Sequence, residues 1–127
     1  MPIFSGFLFL VLLSRGFAPY AGQVIVYNQG FWGTVCDDGW DENDALVVCR
    51  ELGYPGVTMV TKGSFYGSAG IVRIKMVGCY GNETRLSQCS YKIPAEQSDC
   101  INGREREAGV ICEAGNNTDD KGRVLRS

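Results

Sequence analysis

Three features of this sequence predict a small, loop-rich α+β domain: short β-branched runs, one segment with helical spacing and matching caps, and six cysteines in 127 residues. The cysteines, Cys36, Cys49, Cys79, Cys89, Cys100 and Cys112, are even in number and include no C-x-x-C pair, which argues against a zinc ribbon or a thioredoxin-like site. Wide spacing in a small Gly-rich chain reads instead as a disulfide framework, and this requires an oxidising compartment such as the extracellular space. Two N-glycosylation sequons, at Asn82 and Asn116, agree with that compartment. Spacing alone leaves the cysteine connectivity open.

Taken in order, the elements begin with Ile3–Leu13, an apolar run of 11 residues, too short to span a bilayer. It has the length of a signal-peptide h-region, although no Lys or Arg precedes it and Ala21, with Pro19 two positions earlier, makes a poor cleavage site. In a second reading its end, Val11–Leu13, is a first β-strand, so residues 1–20 are an apolar leader or a truncated strand. From Gln23 to Cys36 polarity alternates around Asn28-Gln29-Gly30, with Val24 and Val26 on one face and Ile25 and Tyr27 on the other. That pattern predicts a β-hairpin with a three-residue turn. Asp41 then caps a helix in which Asp44 sits three residues on and Ala45, Val48, Cys49 and Leu52 share a face before Gly53. Its acidic start and Arg50 near its end suit the helix macrodipole. Val57–Thr61 and Ile71–Val77 read as strands around a Gly/Ser-rich loop, expected to be mobile. Thr84–Ser90 reads as a short second helix with Leu86 and Cys89 turned inward, and Gly109–Glu113 as the last strand. Residues 114–127 are a polar linker or tail.

Composition removes whole classes of chemistry. With no histidine, a Ser-His-Asp or Cys-His nucleophile, a His-ligated zinc and an imidazole proton shuttle are excluded. No phosphate-binding loop motif occurs, and no catalytic constellation can be named. A net charge of -2 gives no global attraction to nucleic acid, which is not expected as a partner. Trp32 and Trp40 are expected in the core.

Four stretches, WGTVCDDGW (Trp32–Trp40), DALVVCRELGY (Asp44–Tyr54), CYGNETRLSQC (Cys79–Cys89) and EAGVIC (Glu107–Cys112), together resemble the scavenger receptor cysteine-rich domain, in the family's order. The resemblance covers residues 21–113. Tyr54 stands where eight-cysteine members carry an extra Cys, so the chain is similar to the six-cysteine group A type. The resemblance implies a curved antiparallel sheet cradling one main α-helix plus a short second helix. It also implies the pairs Cys36–Cys100, Cys49–Cys112 and Cys79–Cys89. The terminal GRVLRS is similar to the opening strand of a following repeat, which implies one unit of a tandem array.

The same resemblance implies a cation site formed by Asp37, Asp38 and a Glu shortly before the Ala-Gly-Val, but here that third position, two residues ahead of Ala108, is Arg106, and the flanking Glu105 and Glu107 could substitute only if the loop shifts. A guanidinium cannot ligate calcium, which takes six or more oxygens, so calcium is disfavoured and no cofactor is expected. The family's second acidic cluster is also replaced, by Lys75 and Met76, leaving only Glu83. One reading has Arg106 paired with Asp37 and Asp38 in place of the metal; the other leaves a solvated Asp pair that only shapes a turn. Charge is uneven along the chain: Asp37–Glu51 holds six acids and one Arg, whereas Lys62–Arg106 holds seven basic residues and four acids. Arg73 and Lys75 share a strand face and, with Arg85, Arg104 and Arg106, form a candidate site for polyanionic ligands; the alternative is charge scattered to keep a sheet edge soluble. The expected function is an extracellular, non-catalytic recognition module of scavenger-receptor type, secreted or in the ectodomain of a membrane protein, binding protein, polyanionic or microbial surface ligands. The rival is a non-catalytic module of a larger secreted or membrane protease or oxidase.

Overall fold

The computed structural model describes residues 8–68, 70–100 and 106–115. Among the described residues, seven strands and one α-helix follow in the order β1 (Phe9–Arg15), β2 (Ala21–Asn28), β3 (Phe31–Val35), α1 (Glu42–Glu51), β4 (Val57–Thr61), β5 (Val72–Gly78), β6 (Ser90–Lys92) and β7 (Gly109–Cys112). Single 3-10 turns at Leu86–Gln88 and Gln97–Asp99 flank β6. The expected second helix is thus only the first of these turns.

The hairpin turn is one residue tighter than its sequence predicts. Asn28 pairs with Phe31, so Gln29 and Gly30 alone make the turn, both with positive φ (54° and 89°). This is the mirror-image turn whose twist matches paired strands, and it favours glycine at its second position. Val24 and Val26 are buried while Ile25 and Tyr27 are half-exposed, as the alternation predicts.

Strand β2 organises the sheet. Along one edge it pairs with β1 over seven residues, Phe9 opposite Asn28 through Arg15 opposite Gly22. Its other partners divide it: Ile25–Asn28 take β3, and Ala21–Gln23 take β7. Two arms, β3-β5-β6 and β7-β4, therefore leave one strand, giving the order β4-β7-β2-β3-β5-β6 with β1 paired to β2. The sheet is antiparallel except at β3-β5, which run parallel because α1 and β4 intervene as a crossover.

Helix α1 packs against β4, β7 and β5. Its start is a capping box: Asp41 accepts from the Asp44 N–H and Asp44 accepts from the Asp41 N–H. At its end the Gly53 N–H bonds to Arg50 O and the Tyr54 N–H to Cys49 O, a Schellman closure. Ala45, Val47, Val48 and Cys49 are buried with Val24, Val26, Ile74, Leu86 and Val110 in one core. Trp40 is buried there, its Nε1 donating to Gly109 O at 3.1 Å. Trp32 departs from expectation: it is 48% exposed, because its β3 position faces the side of the sheet away from the core.

Three disulfides, Cys36–Cys100, Cys49–Cys112 and Cys79–Cys89, use all six cysteines in the pairing the resemblance implies. They tie the end of β3 to the second 3-10 turn, α1 to β7, and the two ends of the loop after β5. Tyr54, at the extra-cysteine position, is buried instead, with the Tyr20 ring edge-on at 6.5 Å between centroids. The loop after β4 is not free: Ser64 Oγ accepts from the N–H groups of Arg106 and Glu107, which hold it against the approach to β7. Arg104, Asn116 and the GRVLRS segment lie outside the described residues.

Candidate ligand-binding surface

The residues at the cation position are committed to the fold. Asp37 is buried, and its Oδ2 accepts the Gly63 N–H at 2.7 Å, fixing the β4-β5 loop. Asp38 turns the other way, its Oδ1 accepting the Met76 N–H at 2.9 Å on β5. Arg106 pairs with neither carboxylate, which corrects the salt-bridge reading. Its Nη1 donates to Gln97 O at 2.9 Å and its Nη2 to Gln97 Oε1 at 3.3 Å. Gln97 in turn accepts the Val72 N–H at 2.7 Å and donates to Val72 O at 3.0 Å. The guanidinium thus joins the β7 approach to β5 through one glutamine. Two carboxylates bound to separate amides, with a cation at the third position, do not fit a calcium ion.

A buried carboxylate lies behind this region. Glu107 accepts from Gln23 Nε2 and from Thr34 Oγ1 (3.2 Å), so it holds β2, β3 and the β7 approach together. In the sequence it is only a neighbour of Arg106; no local pattern marks a glutamate before an Ala-Gly-Val as interior.

The predicted basic residues divide into different settings. Arg85 is exposed beside Glu51, whose carboxyl burial raises above its ordinary range while the Leu86 N–H (2.7 Å) and the Arg85 charge pull it back. Arg73 lies across Gly33, where any side chain would collide with it, and its guanidinium sits 5.4 Å from the Phe31 ring centroid and donates to Asn28 O at 3.0 Å. Lys75, on the same face of β5, stands directly opposite Lys92 of β6. Lys92 is exposed and Lys75 half-exposed. The sequence reading misses Lys92 because Ser90–Lys92 is too short to announce itself as a strand, and only pairing with β5 brings it alongside Lys75. The structure therefore joins Lys75 to Lys92 and aligns Arg73 with them, while Arg85 is exposed near Glu51 and Arg106 is bound to Gln97.

Glu83 closes the tip of the Cys79–Cys89 loop. It accepts the N–H groups of Tyr80 (3.0 Å) and Gly81 (2.9 Å), and the first of these bonds chiefly lowers its pKa from the ordinary glutamate value. Arg50 bridges from α1 to the carbonyls of Gly81 and Glu83. Asn82 of the first sequon projects from this turn, exposed. Glu83 also approaches Cys79 and Cys89, but sulfurs bonded to each other are not metal ligands.

A curled sheet around one helix and three cross-links define a small disulfide-stapled domain, with Arg73, Lys75 and Lys92 along one face of β5 and β6. Residues 14–113 match the model of the scavenger receptor cysteine-rich domain, and the chain belongs to that family. It is 38% identical over 103 residues to "Macrophage scavenger receptor types I and II" of Bos taurus, covering 80% of this chain and 22% of that protein. It is 37% identical over 103 residues to a "Scavenger receptor cysteine-rich domain superfamily protein" of Patiria pectinifera, covering 80% of this chain and 9% of that protein. The chain thus spans less than a quarter of either relative. Among solved structures, the third such domain of murine neurotrypsin superposes with TM-score 0.68 at 34% identity, covering 83% of this chain and 96% of that one. The domain of mouse MARCO, in a dimeric form, superposes with TM-score 0.62 at 37% identity, covering 73% of this chain and 86% of that one. Domains of this family occur in the extracellular regions of secreted and membrane proteins, and no helix among the described residues is long and apolar enough to cross a membrane.

Proposed function

We propose that this chain is a non-catalytic extracellular recognition module that binds polyanionic ligands, including acidic protein and microbial surfaces, through the basic ridge on β5 and β6. The observation that carries this reading is Lys75 directly opposite Lys92. Like charges facing each other across two strands repel, and an anion seated between them converts that cost into attraction. Arg73 extends the ridge along β5. Family membership beside the bovine macrophage scavenger receptor supports a ligand-recognition role. Asp37 and Asp38 take part in loop architecture rather than cation binding, so ligand binding requires no calcium. The Asn82 sequon carries a glycan on a face set by the Cys79–Cys89 loop, and the unit works within a longer secreted or membrane-tethered protein in which repeated weak sites add avidity.

Calorimetry against heparin, as a sulfated polysaccharide probe, tests this across a salt series with millimolar calcium or with chelator. Affinity is expected to fall steeply with salt and to be equal in calcium and chelator. Lys75→Glu with Lys92→Glu should weaken it by about tenfold or more. Salt-independent binding, unchanged affinity in the double variant, or a calcium requirement would overturn the reading.

A further inference from the structure

The surface contains a second feature, unconnected with the basic ridge. Among the described residues β1 pairs with β2 alone, which leaves its other edge without a neighbour. The strand is seven residues long and keeps unbroken register with β2. It is a working part of the sheet: Phe9 is buried with its ring centroid 5.6 Å from that of Tyr91, and Val11 and Leu13 pack against the core. Edge strands in soluble proteins usually carry a charge, a proline or a bulge that blocks further pairing. Here Phe9–Ser14 has none of these, and the one charged side chain, Arg15, is turned aside to donate to Ser68 O at 3.0 Å. On the face away from the core, Leu10 pairs with Tyr27, which pairs with Trp32, and Leu12 pairs with Ile25. Leu10, Leu12 and Trp32 are all exposed.

We propose that β1 is a self-association edge, pairing antiparallel with β1 of a second copy to join the two sheets. The strand is complementary to itself. With the two-fold axis at Val11, Leu10 of one copy faces Leu12 of the other and Phe9 faces Leu13. In antiparallel pairing, opposed residues share a face, so the Trp32-Tyr27-Leu10 row continues into the partner's Leu12-Ile25 row. No charge opposes a charge. The contact is one strand edge, well below the roughly 1,200 Å² of a standard stable interface, so association is weak and depends on concentration. Copies held on one chain or at one surface would meet this edge at high effective concentration.

Sedimentation equilibrium of the secreted chain between about 10 μM and 1 mM should show weight-average mass rising towards twice the monomer. Amide exchange should show the outward N–H groups of β1 gaining protection over the same range. Leu10→Lys with Leu12→Lys places gatekeeper charges on exposed positions, and should weaken association by about tenfold or more while leaving the thermal melt unchanged. Val11→Thr, which keeps strand propensity, serves as a control that should still associate. A chain that stays monomeric throughout, a dimer whose β1 amides exchange as fast as in the monomer, or a secreted product whose N-terminus begins beyond Arg15 would each overturn the proposal.

Discussion

Asp44 divides its carboxylate between two tasks. Oδ2 takes the Asp41 N–H and completes the helix cap, while Oδ1 takes the Cys79 N–H at 2.8 Å and fixes the third cysteine. Burial pushes its pKa up from 3.8 to about 6, against the lowering effect of those two amides. A carboxyl with a raised folded-state pKa contributes stability that is fully present below its unfolded value and is lost as pH rises through the folded value. Melting temperatures between pH 4 and 7 should therefore show a downward component with rising pH, on the order of 2 kcal/mol, that Asp44→Asn lacks. Equal pH slopes in the two proteins would contradict this. The cap was legible from Asp41 and Asp44 spacing, but the Cys79 contact was not, because 35 residues separate the partners. Arg106 behaves alike: its side-chain type disfavours calcium at that position, yet its partner, Gln97, is chosen by where the second 3-10 turn lies.

Among the elements, the hairpin offers the clearest test. Gln29 adopts φ 54°, which costs a side chain with no local hydrogen-bonding compensation, and asparagine tolerates that conformation better. Gln29→Asn should stabilise the domain by about 0.5–1 kcal/mol, a rise of a few degrees in Tm. Gly30→Ala meets no atom within 4 Å, so its cost of about 1–2 kcal/mol reports backbone conformation alone. Thermal melts of both variants check these values, and opposite signs are required. Strands β2, β3, β4, β5 and β7 and helix α1 were readable because each carries its own periodicity or caps. Strand β6 has three residues, too few for a period, and the 3-10 turn at Leu86–Gln88 buries only Leu86 and cannot present a helical face.

At the scale of the molecule, the two long cross-links close loops of 64 and 63 residues and the short one a loop of 10. In the chain-entropy model each long closure is worth roughly 4 kcal/mol and the short one about 2.7, against native stabilities of about 5–15 kcal/mol. Reduction should abolish the cooperative melt and the native far-UV circular dichroism. Replacing Cys79 and Cys89 together by Ser should leave a folded but less stable domain, because Glu83 and Arg50 also hold that loop. An unchanged melt in reductant would mean that the core suffices by itself. The sheet order was not legible: β3 lies beside β5, and β2 beside β7, through contacts distant in sequence. The division of β2 between two arms curls the sheet, and its remaining edge places β1 at the rim with its leucines outward.

Most local elements, the absence of histidine chemistry and, through four ordered motifs, the family could be read from the linear string, because they are properties of residue type and short-range spacing; the cysteine pairing could not be read from spacing and came only as what the family resemblance implies. Only the tertiary structure decided that Lys92 faces Lys75, that Glu107 is interior, that Arg106 turns to Gln97 and that β1 ends the sheet. Each of these depends on which backbones lie side by side, a choice made by long-range strand pairing and burial rather than by neighbours along the chain.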